Sequence, residues 1–255
     1  MDVLANLHVP FTPEAFIYAS VVCVLAYIVL GVTGFGSSLI LVVTLVQILP
    51  IREVIAQVVF LDLFGALYIG AKHFKDIEKK EFLWVILFNF VGLFIGLQLI
   101  LEAPERPLLA LLAIFVMVNG VSMLLRRSSI ALPPCRRIWG VPTGLVGGIF
   151  SSLYGTGGPI FILYLVRRLN QYRQIRATIA SIIFVNVFVR AIGLTIAGLL
   201  ITYENAVRSL VLIPFCYLGL RLGSKVHETL SPLAFKTILG GLLVSAALAL
   251  VPKIT

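Results

Sequence analysis

Long apolar stretches alternate with short charged loops along the whole chain. Six of these stretches have about the length of one membrane crossing, at 54–71, 82–101, 107–125, 175–199, 205–226 and 232–251. A hydrocarbon core about 30 Å thick takes roughly 20 apolar residues as a helix. The pattern therefore predicts an all-α integral membrane protein with no room for a separate soluble domain.

Two further apolar stretches, at 14–49 and 138–166, are too long for one straight crossing. A continuous helix over the first would be roughly 50 Å long at 1.5 Å per residue. Glycines interrupt both stretches, in Gly31–Ser38 and in Tyr154–Pro159. We therefore predict that each stretch forms a broken, re-entrant helical hairpin, which enters the membrane and returns to the same side.

Composition and charge agree with a membrane protein. Hydrophobic residues make up 60% of the chain and charged residues only 12%, whereas a soluble domain has about 25% charged residues. The net charge of +9 invites a nucleic-acid partner, but lysine and arginine concentrate in short loops at 72–81, 126–137 and 167–176. Basic loops of this kind mark the cytoplasmic side of a membrane protein. We therefore expect no nucleic-acid binding.

The basic loops also predict the topology. The loops at 126–137 and 167–176 flank the second long stretch, so that stretch must return if both loops are cytoplasmic. The same interpretation of the first stretch places both termini on the outer side of the cytoplasmic (inner) membrane. Each half then has one hairpin and three crossings, and this odd number inverts the second half relative to the first. We predict two inverted repeats, 1–127 and 128–255, within a single membrane domain.

Internal similarity favours this duplication. Three segments of the first half align, in the same order, with three of the second: Gly34–Ile40 with Gly155–Phe161, Arg52–Gln57 with Arg173–Thr178, and Gly92–Gly96 with Gly219–Gly223. A looser alignment, which needs a three-residue gap, makes Asp62 and Asn186 counterparts.

The glycine-rich interruptions are the predicted substrate site. Unwound backbone at membrane depth has to line a protein-buried or watery cavity, and transporter substrates bind near the midplane at such breaks. A half-helix that begins there offers free N–H groups and a positive dipole end to an anion. Tight helix packing is the alternative use of these glycines. The candidate residues are Gly34, Phe35, Gly36, Ser37 and Ser38 in the first half and Gly155, Thr156, Gly157, Gly158 and Pro159 in the second.

Two ionisable residues lie deep in predicted spans, where charges are costly and usually functional. Arg190 is predicted to bind the negative charge of the substrate, together with Asn186, which is four residues earlier on the same helix face. Asp62 is predicted to serve in coupling or gating, with Gln57 one or two turns earlier. The alternative is an Asp62–Arg190 pair that only joins the two halves.

The sequence offers little for catalysis. All three histidines lie in terminal or loop segments, no nucleophile–base or metal-ligand spacing occurs in the sequence, and the three cysteines lack paired spacing. We therefore expect no enzyme activity, no cofactor and no metal. The expected partners are a small anion and membrane lipid, with a homo-oligomer left open. The alternatives to a transporter are a channel-like anion conduit and a non-transporting membrane scaffold or assembly protein.

Three segments carry a family resemblance: Gly34–Ser38, Gly155–Pro159 and the basic segment Tyr172–Thr178. With them the chain resembles the sulfite exporter TauE/SafE family over essentially its whole length, although Phe35 and Ser37 depart from the more glycine-rich first motif of that family. The resemblance implies transport of sulfite, organosulfonates, thiosulfate or related small anions, often outward. An anion that leaves a negative cytoplasm gains about 2.3 kcal/mol per charge per 100 mV, so export needs no coupled ion.

Overall fold

A computed structural model describes residues 12–70, 76–125, 133–226 and 232–254. These ranges form ten α-helices and contain no β-strand, which confirms the predicted all-α class. Residues 1–11 and most of the 126–137 loop lie outside the described residues. The helices are α1 (Pro13–Thr33), α2 (Ser37–Leu45), α3 (Ile51–Gly70), α4 (Lys79–Glu102), α5 (Glu105–Leu125), α6 (Gly140–Tyr154), α7 (Gly158–Leu165), α8 (Tyr172–Ile196), α9 (Tyr203–Val226) and α10 (Pro232–Ile254).

The outer surface of the bundle is suited to lipid. Five helices are long and apolar enough to cross a membrane: α1, α4, α5, nearly all of α8 and most of α9. On α4, Leu83, Leu87 and Phe94 recur at helical spacing and are each more than half exposed. An apolar face of this length is typical of a membrane surface and unusual on a soluble monomer. The chain is therefore a multi-pass membrane protein.

The first long apolar stretch is broken and doubles back. Helix α1 ends at Thr33, and Gly34 and Gly36 follow with φ of 82° and 96°, the left-handed region that favours glycine. Helix α2 then returns toward the start of α1, since the Tyr18 hydroxyl donates a hydrogen bond of 3.2 Å to the carbonyl oxygen of Thr44. The two ends of this hairpin therefore lie together.

The second long stretch has the same form. Helix α6 ends at Tyr154, Gly155 has φ of 71°, and α7 begins at Gly158. The backbone N–H of Cys135, just before α6, donates a 3.4 Å hydrogen bond to the carbonyl oxygen of Arg167, just after α7. Both ends of the second hairpin therefore lie at one end of the bundle.

The two hairpins open at opposite ends of the bundle. Glu81, at the start of α4, accepts a 2.8 Å hydrogen bond from Arg168, which follows the second hairpin. At the other end of α4, the carbonyl oxygen of Ile100 accepts a 3.1 Å hydrogen bond from Arg52, which follows the first hairpin. The end with Glu81 and Arg168 is termed the basic-loop end, and the end with Arg52 is termed the distal end.

Helix contacts exchange partners between the halves. Helix α1 of the first half packs on α9 of the second, and α6 of the second half packs on α4 of the first. Helix α3 likewise contacts α8, and α5 contacts α10. The aligned glycines make the first two contacts possible. A Cβ on Gly92 would lie 2.1 Å from the carbonyl oxygen of Leu145, and one on Gly219 would lie 2.5 Å from that of Val24. These contacts favour two inverted repeats with the boundaries 1–127 and 128–255, which stay a prediction.

The larger buried apolar cluster closes the distal end. It includes most of α2, the first half of α3, the first half of α5 and the last turns of α10. A smaller cluster, with Val85, Phe161 and Ile182 among its members, lies toward the basic-loop end. The packing is therefore unequal along the bundle, and the distal side is the more solidly filled.

Candidate functional site

A cavity lies where the two helix breaks meet. Its empty volume is about 900 Å³, a figure that includes space open to solvent. All the predicted site residues except Gln57 and Gly157 line it. They are Gly34, Phe35, Gly36, Ser37, Ser38, Asp62, Gly155, Thr156, Gly158, Pro159, Asn186 and Arg190. The fold thus brings together residues that are up to 156 positions apart, from Gly34 to Arg190.

The cavity extends from the breaks toward the basic-loop end. On α8 its lining runs from Ala177 to Arg190, and on α3 it runs from Asp62 to Ala66. Helix α8 begins at the basic-loop end, since the hydroxyl of Thr178 accepts a 3.1 Å hydrogen bond from the N–H of Glu78. Past Arg190, the described part of α8 adds nothing to the lining. The cavity therefore faces the basic-loop end.

Arg190 lines this cavity and has one donor atom without a partner among the described residues. The residue is 3% exposed, and its Nε donates a 3.1 Å hydrogen bond to the carbonyl oxygen of Ser152. Its Nη1 lies 3.7 Å from Oδ2 of Asp62, while Nη2 finds no hydrogen-bond partner among the described residues. A buried charged donor without a partner is costly. An acceptor in the cavity would remove that cost.

Asp62 is held mainly by serines. Its Oδ2 accepts a 2.8 Å hydrogen bond from Ser38, and its Oδ1 accepts a longer one of 3.4 Å from Ser37. The 3.7 Å approach of Arg190 is beyond hydrogen-bonding distance. The Asp62–Arg190 pair, the alternative considered above, is therefore present as an ionic contact, and Nη2 of Arg190 has no partner among the described residues.

Glycines precede both short helices at the breaks. Gly36 is the N-cap of α2 and has no side chain with which to cap it, while the hydroxyls of Ser37 and Ser38 bond to Asp62. Gly155 is needed for close approach, since a Cβ there would lie 2.7 Å from Oγ of Ser38 and 2.8 Å from Nη1 of Arg190. This glycine lets the two hairpins and Arg190 meet.

Asn186 belongs to a polar cluster that joins three helices. Its Nδ2 donates a 2.9 Å hydrogen bond to Oγ of Ser151 on α6, and its Oδ1 accepts one of 2.6 Å from Asn89 on α4. Nδ2 also lies 3.4 Å from Oδ1 of Asn89. The amide of Asn186 is thus engaged by protein groups, so its predicted contact with substrate would have to be made through its neighbour Ser151.

Gln57 and Gly157 do not line the cavity. Gln57 is fully buried, and neither atom of its amide has a partner within the described ranges. It is five residues from Asp62, which places it about 140° around the helix at 100° per residue. A Cβ on Gly157 would lie 2.0 Å from Oγ of Ser151, so this glycine makes room for that hydroxyl. The coupling role of Gln57 stays a prediction.

Sequence reasoning missed Ser151 and the small residues of α8. Ala177, Ala180 and Ser181 line the cavity on the side toward the basic-loop end. Together with Ile183, which also lines the cavity, Ala177 and Ala180 continue the face of Asn186 and Arg190 in steps of three or four residues. That spacing could have revealed the α8 residues, whereas Ser151 lies in an apolar run and has no such signal.

These features define a multi-pass helical membrane protein with a cavity between two broken helices that is lined by Asp62 and Arg190, which is the architecture of a transporter. The chain belongs to the sulfite exporter TauE/SafE family, whose family model matches residues 19–250. It is also similar to the probable inner membrane transporter protein TsaS of Comamonas testosteroni, with 28% identity over 195 residues. That alignment covers 76% of this chain and 80% of the relative. No solved structure matches the chain.

Proposed function

We propose that the chain is a secondary transporter that exports small sulfur-containing anions, such as sulfite, organosulfonates or thiosulfate, by alternating access. The observation that carries the proposal is the buried guanidinium of Arg190, which lines the cavity between the two helix breaks and has no carboxylate or other acceptor at Nη2 among the described residues. A positioned cation in a low-dielectric site attracts an anion far more strongly than it would in water. The TauE/SafE family and the similarity to an inner membrane transporter support this function and a location in the cytoplasmic membrane.

The charges of the cavity favour an anion over a cation. Asp62 is already matched by two serine donors and the nearby guanidinium, so it offers little to a cation. Arg190 has a donor to spare. The breaks also place the start of α2 and the N–H of Gly158, the first residue of α7, beside the cavity, where the positive ends of the helix dipoles favour negative charge.

The position of the cavity supports export. It faces the basic-loop end, whose arginine and lysine residues predict a cytoplasmic location. A cytoplasmic anion would then reach Arg190 directly, and the membrane potential would favour its exit. This orientation also keeps the prediction that both termini lie outside. Import would require a coupled cation or proton, for which Asp62 is the candidate.

Alternating access is supported by the exchange of contacts between the halves. If the halves are inverted repeats, the α1–α9 contact and the α6–α4 contact are equivalent positions in the two halves. The bundle can then adopt a second arrangement in which the two halves have exchanged their conformations. In the arrangement described here the distal end is packed shut. In the exchanged arrangement the distal end would open and the basic-loop end would close.

Anion flux in proteoliposomes tests the proposal. We expect saturable uptake of sulfite and of methanesulfonate, with counterflow, in the native protein. Arg190→Ala should abolish this flux, while Arg173→Ala should retain it, because Arg173 is exposed at the start of the same helix. Flux that rises linearly without counterflow would indicate a channel-like conduit. Folded protein with no flux of any sulfur oxyanion would favour a scaffold or assembly role.

A further inference from the structure

The Ser151 hydroxyl accepts one hydrogen bond and donates none to a described residue. Oγ of Ser151 accepts the 2.9 Å hydrogen bond from Nδ2 of Asn186. The O–H of Ser151 has no acceptor among the residues that the structure describes, and the residue lines the cavity. A hydroxyl has one hydrogen to donate and two lone pairs. Because an amide N–H already occupies a lone pair, the group is set to donate.

Asn89 and Gly157 hold that arrangement in place. Asn89 is fully buried and bonds to the amide of Asn186 through both of its own polar atoms. Gly157 leaves the space that Oγ of Ser151 fills, because a Cβ there would lie 2.0 Å from this oxygen. The hydroxyl of Ser151 is therefore fixed by residues of three helices and is not free to turn toward a different site.

Ser151 and Arg190 line the same cavity, and the α8 residues that bond to this part of α6 are one turn apart. Asn186 and Arg190 are four residues apart on α8, and they bond respectively to Ser151 and Ser152 of α6. Residues at this spacing have Cβ atoms about 5–6 Å apart. The oxygens of one oxyanion diverge from a central atom, so a single anion can accept from both donors.

We propose that Ser151 is a specificity-determining donor, which binds a second oxygen of an oxyanion whose first oxygen is bound by Arg190, and that Asn89 positions it through Asn186. This inference rests on the proposed function and deepens it, because it requires a substrate with at least two oxygens on one centre. Sulfite and sulfonates meet that requirement. Neither Ser151 nor Asn89 has to take part in the movement of the helices.

Substitutions at both positions can be compared with matched controls. Ser151→Ala removes the donor, and the control is Ser20→Ala, because Ser20 is also buried but its hydroxyl has no partner in the described chain and does not line the cavity. Asn89→Leu removes the positioning bonds. Its control is Asn119→Leu, because among the described residues the amide of Asn119 bonds to the Phe115 carbonyl oxygen of its own helix and to no other helix.

The measurements are the dissociation constant of methanesulfonate for the purified protein, by calorimetry, and KM and maximal rate of its exchange in proteoliposomes. A hydrogen bond to a charged group contributes about 1.5–3 kcal/mol, which is a factor of about 10 to 100. We expect Ser151→Ala to raise both the dissociation constant and KM by at least about tenfold, with a maximal rate within twofold of native. Asn89→Leu should raise both constants in the same direction, and both controls should match native protein.

The outcomes separate this inference from the proposed function. If native protein binds and exchanges methanesulfonate but Ser151→Ala binds it as tightly as native, the inference is wrong and the transporter proposal stands. If native protein binds methanesulfonate but exchanges neither it nor sulfite nor thiosulfate, transport is refuted and the dissociation constants of the variants alone decide the role of Ser151. If folded native protein neither binds nor exchanges any of these three anions, both proposals fall.

Discussion

The contact between Asp62 and Arg190 can be tested as a structural pair or as part of a binding site. Three variants are needed: Arg190→Met, Asp62→Asn, and the double variant with both changes. Each single change removes one charge from a site where both residues are less than a tenth exposed. The double change leaves a neutral site of similar volume, in which the amide oxygen of asparagine can still accept the hydrogen bond from Ser38, while its NH2 group would face Ser37.

The expected magnitudes follow from the geometry. At an effective dielectric constant near 20, two unit charges about 4 Å apart interact by about 4 kcal/mol, and Nη1 lies 3.7 Å from Oδ2. Removal of one partner from a buried pair costs about 3–5 kcal/mol, whereas replacement of both is often neutral. We therefore expect Arg190→Met to lose about 3 kcal/mol of stability. The double variant should recover most of that loss.

Stability and transport have to be measured on the same samples. Thermal unfolding in detergent gives the relative stability, and methanesulfonate exchange in proteoliposomes gives the activity. If Arg190 binds the substrate, the double variant should be nearly as stable as native protein and still fail to exchange anion. A double variant that regains both stability and exchange would refute the reasoning, because the pair would then serve only to join the two halves.

Two further predictions concern the packing and the topology. Gly92→Ala should destabilise the protein by about 1–3 kcal/mol in the same unfolding assay, because its Cβ would meet the Leu145 carbonyl oxygen. The control Gly241→Ala should be neutral or stabilising, because its Cβ would have no neighbour within 4 Å. Equal stability of the two variants would exclude a close α4–α6 contact. In a Cys135→Ser background, the Tyr203→Cys variant should react with an impermeant maleimide on intact cells. The Arg173→Cys variant should react only after permeabilisation. The opposite result would reverse the proposed orientation.

Much of the fold could be predicted because hydrophobic length and glycine position are local signals. An apolar stretch from 14 to 49 exceeds the membrane thickness, and glycines at 34 and 36 locate the break without tertiary information. The return of the second stretch followed from two flanking basic loops. The structure joins the same segments through Cys135 and Arg167. These features could be predicted because few other structures satisfy the backbone hydrogen bonds of a chain in lipid.

The details of the site were less predictable because they depend on how helices are rotated and spaced. Gln57 and Asp62 are on one helix, but only Asp62 lines the cavity. Ser37 and Ser38 are residue types that often cap helices, but here their hydroxyls donate hydrogen bonds to the buried carboxylate of Asp62. Asn89 and Asn186 are 97 positions apart and bond across α4 and α8. A pattern along one chain does not contain those pairings.

We predict that the two halves differ at a position that decides the sign of the substrate. In the looser alignment, Asp62 of the first half corresponds to Asn186 of the second. Asp62 balances the charge of Arg190, whereas the neutral amide of Asn186 orients a serine hydroxyl toward the cavity. A carboxylate at both positions would give this part of the site a net negative charge and would repel an anion. With asparagine at position 186, the charges of Asp62 and Arg190 balance. Under our proposal, an incoming oxyanion can then accept hydrogen bonds from Arg190 and Ser151.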